Sequence, residues 1–532
     1  MRTPYSFFFA VIMAITFSSQ VAYSQALPMQ WQQLYGGYYY DNGYAGIMAR
    51  GGGYLFGSMS FSSDGDHLAT SFGTADFWVI RTDDFGNLLW EQSYGGENVD
   101  ILSDIIKSSK GYILSGYSGS WGMQVSGHHG SPSRPNDDMW LVGIDTGGTL
   151  LWSKTYGGSE QDRAFNMCKA NDNGYMIAGY TNSRNGDLTP IRDTQNFDAW
   201  VVNINDTGGI LWQKTYGDTG VEYTNSIISA SNGGYIFAGF STSNNGLFTG
   251  NHGSYDFWVV KIDDTGGMQW QKNFGGTKMD FVNSICQSSD GGYLIAGSTE
   301  SNDGDIPLLH GTMDMWLLKI NKNGVIQWSK TYGGSGRQSA SSVIATLDGG
   351  FIVTGYTTST DGTVVGKTDN TDDCWVLKLD AAGNIQWQKI MGGQSNDFGT
   401  RIIQTPDSGY VITGTSFSSN NEFSHNQGQS DVWTIRLAKD PVVHAGVDYI
   451  SDLDKIQILP TLNKGQFTIS LPPGFEFASI NLYDMEGREM PIQTHLVGLQ
   501  RKVDVCNPVP GNYIVSITNK SERKQFRITF TN

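Results

Sequence analysis

The chain has 532 residues and a formal net charge of −17, with 34 Lys+Arg against 51 Asp+Glu. That balance excludes nucleic acid as a partner and disfavours an anionic membrane surface, because phosphate recognition needs a concentrated basic face. Charged residues make up only 16% while glycine reaches 68 positions, a composition suited to an extracellular β protein with many tight turns.

Taken in chain order, residues 1–24 read as a secretory signal peptide. Arg2 is the one early charge, and residues 7–17 form an apolar run too short to span a bilayer. Ala22 and Ser24 place small residues before a cleavage site at Gln25. No later stretch is apolar enough to cross a membrane, so the mature chain is expected to carry no transmembrane segment.

Residues 25–438 are dominated by a repeat. Trp31, Trp90, Trp152, Trp212, Trp270, Trp328 and Trp387 follow W-x-x-x-Y-G-G or a close variant. Trp78, Trp140, Trp200, Trp258, Trp316, Trp375 and Trp433 follow D-x-W, and each series steps by 58 to 62 residues. Seven units of this size, rich in glycine and aromatics, predict an all-β, seven-bladed β-propeller. In the fifth unit we read strand a at 284–287, strand b at 293–297, strand c at 314–320 and strand d at 325–332. Asp290-Gly-Gly and Asn321-Lys-Asn-Gly make the tight turns. Strands b and c are apolar on both faces, as expected for sheets sandwiched between sheets. A lone d strand at the start and a lone c strand at the end predict closure of the last blade from both termini, residues 29–35 beside 431–437.

Asp380-x-x-Gly383-x-x-x-Trp387 resembles the tryptophan-docking motif of pyrroloquinoline-quinone-type propellers, which implies blade geometry and no quinone chemistry. Stretches such as SSDGGYLIAGSTESNDGDI and GNHGSYDFWVVKID resemble a repeat of surface-exposed proteins in Bacteroidetes-type bacteria. After a linker at 439–454, residues 455–532 form a smaller β domain, expected as an Ig-like sandwich. Its G-x-F-x-I (465–469), I-x-L-Y-D-x-x-G-R (480–488) and G-x-Y-x-V-x-I (511–517) series resembles the type A C-terminal sorting domain of the type IX secretion system. Residues 459–463 depart from that family's usual P-N-P. The resemblance implies secretion machinery as a partner and a product that is secreted or held at the outer-membrane cell surface.

Four groups are candidate sites. Asp41, Asp100, Asp162, Glu222, Asp280 and Asp397, with Gln338 at the seventh position, are expected as a ring at the channel mouth. There they would either bind a cation such as Ca²⁺ or accept backbone N–H bonds. Asp64, Asp66, Asp303 and Asp305 sit in D-G-D loops that form turns and could also hold Ca²⁺. The His-Gly pairs at His129, His252 and His310, with His425 nearby, suggest a recurrent loop hydrogen bond. Trp121 is the one tryptophan off both series. It shares the second unit's long b–c loop with His128, His129 and Arg134, which makes it either a ligand platform or a pin for the loop. Arg163 and Arg401 are the other breaks in the pattern. Cys168, Cys286, Cys374 and Cys506 are read as unpaired thiols. No cofactor other than Ca²⁺ is suggested. Two functions stand open: a binding or adhesion module for glycan or protein, and a carbohydrate-active lyase or hydrolase using the carboxylate ring.

Overall fold

The computed structural model describes residues 26–440 apart from 131–135, 189–195, 246–248 and 421–425. In the C-terminal unit it describes 457–459, 462–463, 466–470, 479–484, 488–497, 500–505, 509, 511–519 and 522–530. The signal peptide, most of the linker, Arg134, His425 and Cys506 lie outside the described residues. Two compact units divide after Asp440.

In the first unit the described residues form seven four-stranded antiparallel sheets, six of them in simple a-b-c-d order. The seventh closes from both ends of the chain. Met29–Tyr35 pairs with Asp431–Leu437, with Gln33 opposite Thr434 and Tyr35 opposite Val432. Innermost strands contact one another in sequence around the ring, and the first, Asp41–Met48, also meets the last, Asp397–Gln404. The molecule is a closed seven-bladed propeller.

Alternation explains why the blades stack. Strands b and c are buried at every residue in most blades, for example Tyr293–Thr299 and Asp314–Ile320. Seven c-strand tryptophans, from Trp78 to Trp433, are fully buried between blades. Most of these indole N–H groups are satisfied within their own blade, as Trp140 Nε1 donates to Ser153 Oγ at 2.9 Å and Trp316 Nε1 to Ser329 Oγ at 2.9 Å.

The W-x-x-x-Y series welds each blade to the next. The phenol of Tyr216 donates to the Gly266 carbonyl at 2.7 Å and that of Tyr332 to Gly383 at 2.6 Å; Tyr35, Tyr94 and Tyr156 do the same. The tryptophan four residues earlier lies over the same c–d turn. A Cβ on Gly266 would fall 2.8 Å from Trp212, and one on Gly324 3.2 Å from Trp270. These glycines also hold φ near +75°, so space and conformation both require Gly. Trp387 has no following turn, and packs instead with Leu27 and Leu437 from the two closing segments.

Strand a differs from expectation. It starts four residues earlier, at Asp280 rather than Ser284, and a β-bulge separates Val282 from Ser284. The same bulge recurs in every blade.

The described strands of the C-terminal unit make two sheets, one of four strands and one of five. Phe467 and Ile469 from one sheet pack with Leu482, Tyr513, Val515 and Ile517 from the other, which makes a two-sheet sandwich. The motif residues of the sorting-domain series are thus its core.

Candidate functional site

The face bearing the d–a and b–c loops is built on the start of strand a. Exposure there alternates buried, partial, buried, partial. Side chains two apart share a face, so the first residue of the strand turns away from the channel while the second and fourth line it.

That alternation relocates the six carboxylates. Asp41, Asp100, Asp162, Glu222, Asp280 and Asp397 have no exposed surface, so they form no open ring at the channel mouth. Each instead ties the d–a loop to its own blade. Asp280 Oδ2 accepts from Gly276 N at 2.9 Å and Ser301 Oγ at 3.1 Å; Asp41 accepts from Gly37 N and Ser62 Oγ, both at 2.8 Å. The backbone at the same residue joins neighbouring blades, as Asp280 N donates to Tyr255 O at 2.7 Å. Glycoside cleavage requires carboxylates in contact with substrate, and these are sealed from it.

The D-x-W aspartates face them across each blade junction. A Cβ on Gly275 would lie 2.6 Å from Asp280 Oδ2 and 2.7 Å from Asp256 Oδ1, so the first glycine of Y-G-G is the only residue that fits between the two. Burial pushes Asp100, Asp162, Asp280 and Asp373 up to about 6, and raises Asp431 to about 7 and Asp138 to about 9. Neighbouring carboxylates add to the rise, Asp76 on Asp100 and Asp162 on Asp138.

The histidines cap these aspartates. His310 Nδ1 lies 2.6 Å from Asp314 Oδ2, His252 Nδ1 2.7 Å from Asp256 Oδ2, and His129 Nδ1 2.8 Å from Asp138 Oδ2. Lys367 takes this place in the sixth blade, against Asp373. The D-G-D carboxylates bind the adjoining d–a loop. Asp64 accepts from Tyr38 N at 2.8 Å, Asp303 from Thr277 N at 2.8 Å and Asp305 from Gly275 N at 3.2 Å, whereas Asp66 accepts at 2.6 Å from Gln427 Nε2 in the last blade's b–c loop. Among the described residues no three His, Cys, Asp or Glu side chains group around a metal-sized site.

Trp121 packs down onto His128 with ring centres 4.4 Å apart, and keeps a partly exposed face. His128 is held by the Ser118 and Asn136 carbonyls. His129 reaches Asp187 of the next blade at 3.5 Å. Together they flank a polar cleft of about 780 Å³ with Asn136, Glu160, Asn182 and Asn185.

Sequence reasoning missed the aromatic rim of the channel. Tyr180 meets Tyr223 at 4.5 Å, Tyr223 meets Phe240 at 4.9 Å, and Phe240 meets Phe281 at 5.2 Å. Phe197 and Tyr255 back this row. The Arg163 guanidinium caps its other end, 4.1 Å over Tyr117 and paired with Asp137 through Nε at 2.9 Å. The rim overlooks an axial cavity of about 630 Å³. One side chain per blade lines it: Tyr44, Ser103, Phe165, Asn225, Asn283, Ser341 and Thr400. The signal was present in the sequence at the residues before the end of strand b, where Tyr117, Tyr180 and Phe240 in three successive blades, and Tyr356, stand against Met59, Ser298 and Thr415 in the others.

Arg401 lies deeper. It pairs with Asp104 at 3.6 Å, reaching from the seventh blade past the first to the second. Asp104 is buried and also accepts from Asn166 Nδ2 at 2.7 Å and Met167 N at 2.9 Å. Arg401→Ala is expected to cost about 1–3 kcal/mol by leaving this carboxylate short of a partner; urea unfolding reads it. Asp104→Asn in the same background should recover part of the loss.

Residues 457–529 match the secretion system C-terminal sorting domain. The C-terminal unit is a secretion-system sorting domain. The chain is therefore a type IX export substrate, destined for the cell surface or the medium. The regulatory protein FlaEY of Caulobacter vibrioides is 24% identical over 297 residues, which are 49% of this chain and 30% of that protein. The chain thus spans under a third of that relative's length. Similar solved structures include the Neurospora crassa Pan2 WD40 domain, at 11% identity and TM-score 0.43, covering 78% of this chain and 98% of that one. Sqt1 from Chaetomium thermophilum gives 11% identity and TM-score 0.40, covering 78% of this chain and 100% of that one. A member of the DUF4221 family from Bacteroides vulgatus gives 8% and 0.36, covering 77% and 98%. The propeller assignment rests on the chain's own seven sheets. Among the described residues no helix is long and apolar enough to cross a membrane.

Proposed function

We propose that the propeller is a binding or adhesion module, delivered by its sorting domain, that holds a glycan or protein ligand on the face bearing the d–a and b–c loops. The observation that carries this reading is the contrast between repeated and unrepeated positions on that face. The buried carboxylates, the docking tryptophans and the turn glycines recur around the ring because each blade needs them. The residues facing the channel vary from blade to blade, and gather rings on one side of the axis. Repetition serves the scaffold; departure from it is free to serve a ligand.

The test is a glycan array and a panel of purified host and bacterial surface proteins, probed with the full mature chain in calcium and in EDTA. Binding to a defined glycan or protein is expected. Loss in EDTA would assign the site to the aspartate loops around Asp64, Asp66, Asp303 and Asp305. Trp121→Ala is expected to weaken binding at least tenfold if the ligand spans the cleft beside His129, with an unchanged melting temperature as the folding control. Absence of any specific binder on both panels would overturn the reading.

A further inference from the structure

We infer that the axial cavity is a subsite for an uncharged pyranose sugar, stacked on the aromatic rim; this rests on the binding reading above and names its ligand class. The first argument is charge. None of the side chains lining the cavity is ionisable in the neutral range, and Arg163, which lies over the rim's Tyr117, is already neutralised by Asp137. An anionic sugar, a nucleotide or an acidic peptide would find no counter-charge here, and a cationic one no carboxylate, since the six carboxylates at the strand starts are sealed.

The second argument is the two-sided lining. On one side Tyr117, Tyr180, Tyr223 and Phe240 offer partly or largely buried ring surfaces, Tyr180 meeting Tyr223 edge to face and Tyr223 lying tilted at 36° to Phe240. On the other, Asn283, Ser341 and Thr400 offer amide and hydroxyl groups. A pyranose has this character: an apolar C–H face that stacks on an aromatic ring and a rim of hydroxyls that need donors and acceptors. A purely apolar ligand would leave the Ser341 hydroxyl and the amide oxygens of Asn225 and Asn283 desolvated without partners. The amides are held in fixed orientation, as the Asn225 and Asn283 Nδ2 groups each donate at 2.7 Å to a carbonyl of the next blade. Little side-chain freedom is left to lose when a sugar binds.

The third argument is size and shape. About 630 Å³ falls inside the range of small-ligand pockets and accommodates a short oligosaccharide end. The row of rings runs on from Phe240 to Phe281, so sugars beyond the first can continue along the rim.

The test is calorimetric titration of the full mature chain with cellotetraose, maltotetraose, mannotetraose and xylotetraose, with tetragalacturonate as the charged counterpart. At least one neutral tetrasaccharide is expected to bind, and tetragalacturonate is not. Tyr180→Ala and Tyr223→Ala should each weaken binding tenfold or more, while Tyr180→Phe, which keeps the ring, stays within threefold of the parent. Because the alanine variants loosen a packed row, Ser341→Trp supplies a second variant that fills the cavity from its polar side and should abolish binding at an unchanged melting temperature. No neutral sugar bound, preference for tetragalacturonate, or affinity untouched by Ser341→Trp would each overturn the inference. If the array or protein panel meanwhile yields a ligand on this face, the binding-module reading stands and only the neutral-sugar assignment fails.

Discussion

Deleting residues 26–35 should abolish the cooperative unfolding of the propeller. The last blade has no other outer strand, since Met29–Tyr35 completes a sheet whose remaining strands come from the far end of the repeat region. Without it Asp431–Leu437, buried at every residue, becomes a bare edge with unpaired backbone groups. The deletion also removes Trp31 from its place over Gly86, the Tyr35 bond to the Gly86 carbonyl, and Leu27 from the cluster around Trp387. Loss of one tryptophan-sized contact alone costs about 3–5 kcal/mol, and the ladder and edge add to it. Urea unfolding should show a midpoint shifted strongly down, or a transition no longer single. A circular permutant joining the two closing strands through a short linker, with new ends at the exposed 231–233 turn of the fourth blade, should restore the parent curve. A deletion variant as stable as the parent would mean that the ring does not depend on its terminal strand.

A second large effect is expected from pH. Asp100, Asp162, Asp280 and Asp373 titrate near 6 in the folded protein, Asp431 near 7 and Asp138 near 9, all above the usual carboxylate value because burial disfavours the charge. Between pH 4 and those values the folded chain holds protons that the unfolded chain has released. Stability from these groups is therefore fully present below about pH 4 and is lost as pH rises from there through 6, 7 and 9. Two carboxylates run the other way. Asp407, bonded by Thr405 and bridged by Arg436, sits near 2, and Asp290, bonded to Ser288 and Lys319, is lowered further; their contribution is lost below about pH 4. Maximum stability is thus expected near pH 4–5. A rise of two pKa units in one buried group is worth about 3 kcal/mol, and several act together, so the melting temperature should fall on the order of 5 °C or more from pH 5 to pH 8. Scanning calorimetry at stepped pH reads this. Asp138→Asn should flatten the profile, because an amide in that place cannot titrate; an amide already stands on the other side of one such junction, where Gln338 faces Asp314 between the fifth and sixth blades. A melting temperature that rises steadily to pH 8 would contradict the buried-pair description.

Much of the fold was legible because the scaffold repeats. Tryptophans spaced by one blade, glycines at fixed offsets and unpaired terminal strands report packing directly, since every blade must solve the same burial problem. The site was less legible for a physical reason visible in strand a. Its first half lines a channel and carries residues as unlike as Arg163, Tyr223 and Ser339, so no apolar run marks it as a strand. Starting the strand at Ser284 left Asp280 in a loop at the channel mouth. The strand begins at Asp280, and its alternation turns that side chain away from the channel while Asn283 lines it. The ring of carboxylates then goes inward and the aromatic rim comes into view. Trp121 is the one unrepeated tryptophan, yet nothing in its sequence surroundings marks His128 as the ring it packs on.

The most direct test of the central claim compares the two ends of the propeller on one glycan and protein array. One variant, Tyr223→Ala with Phe240→Ala, alters the rim at the d–a and b–c end. The other, Phe85→Ser with Leu347→Ser, alters exposed apolar residues on the c–d and a–b turns at the opposite end. Loss of binding in the rim variant alone, with the turn variant matching the parent, is the predicted result. Binding that survives the rim variant and disappears in the turn variant would contradict the account and place the ligand at the other end of the channel.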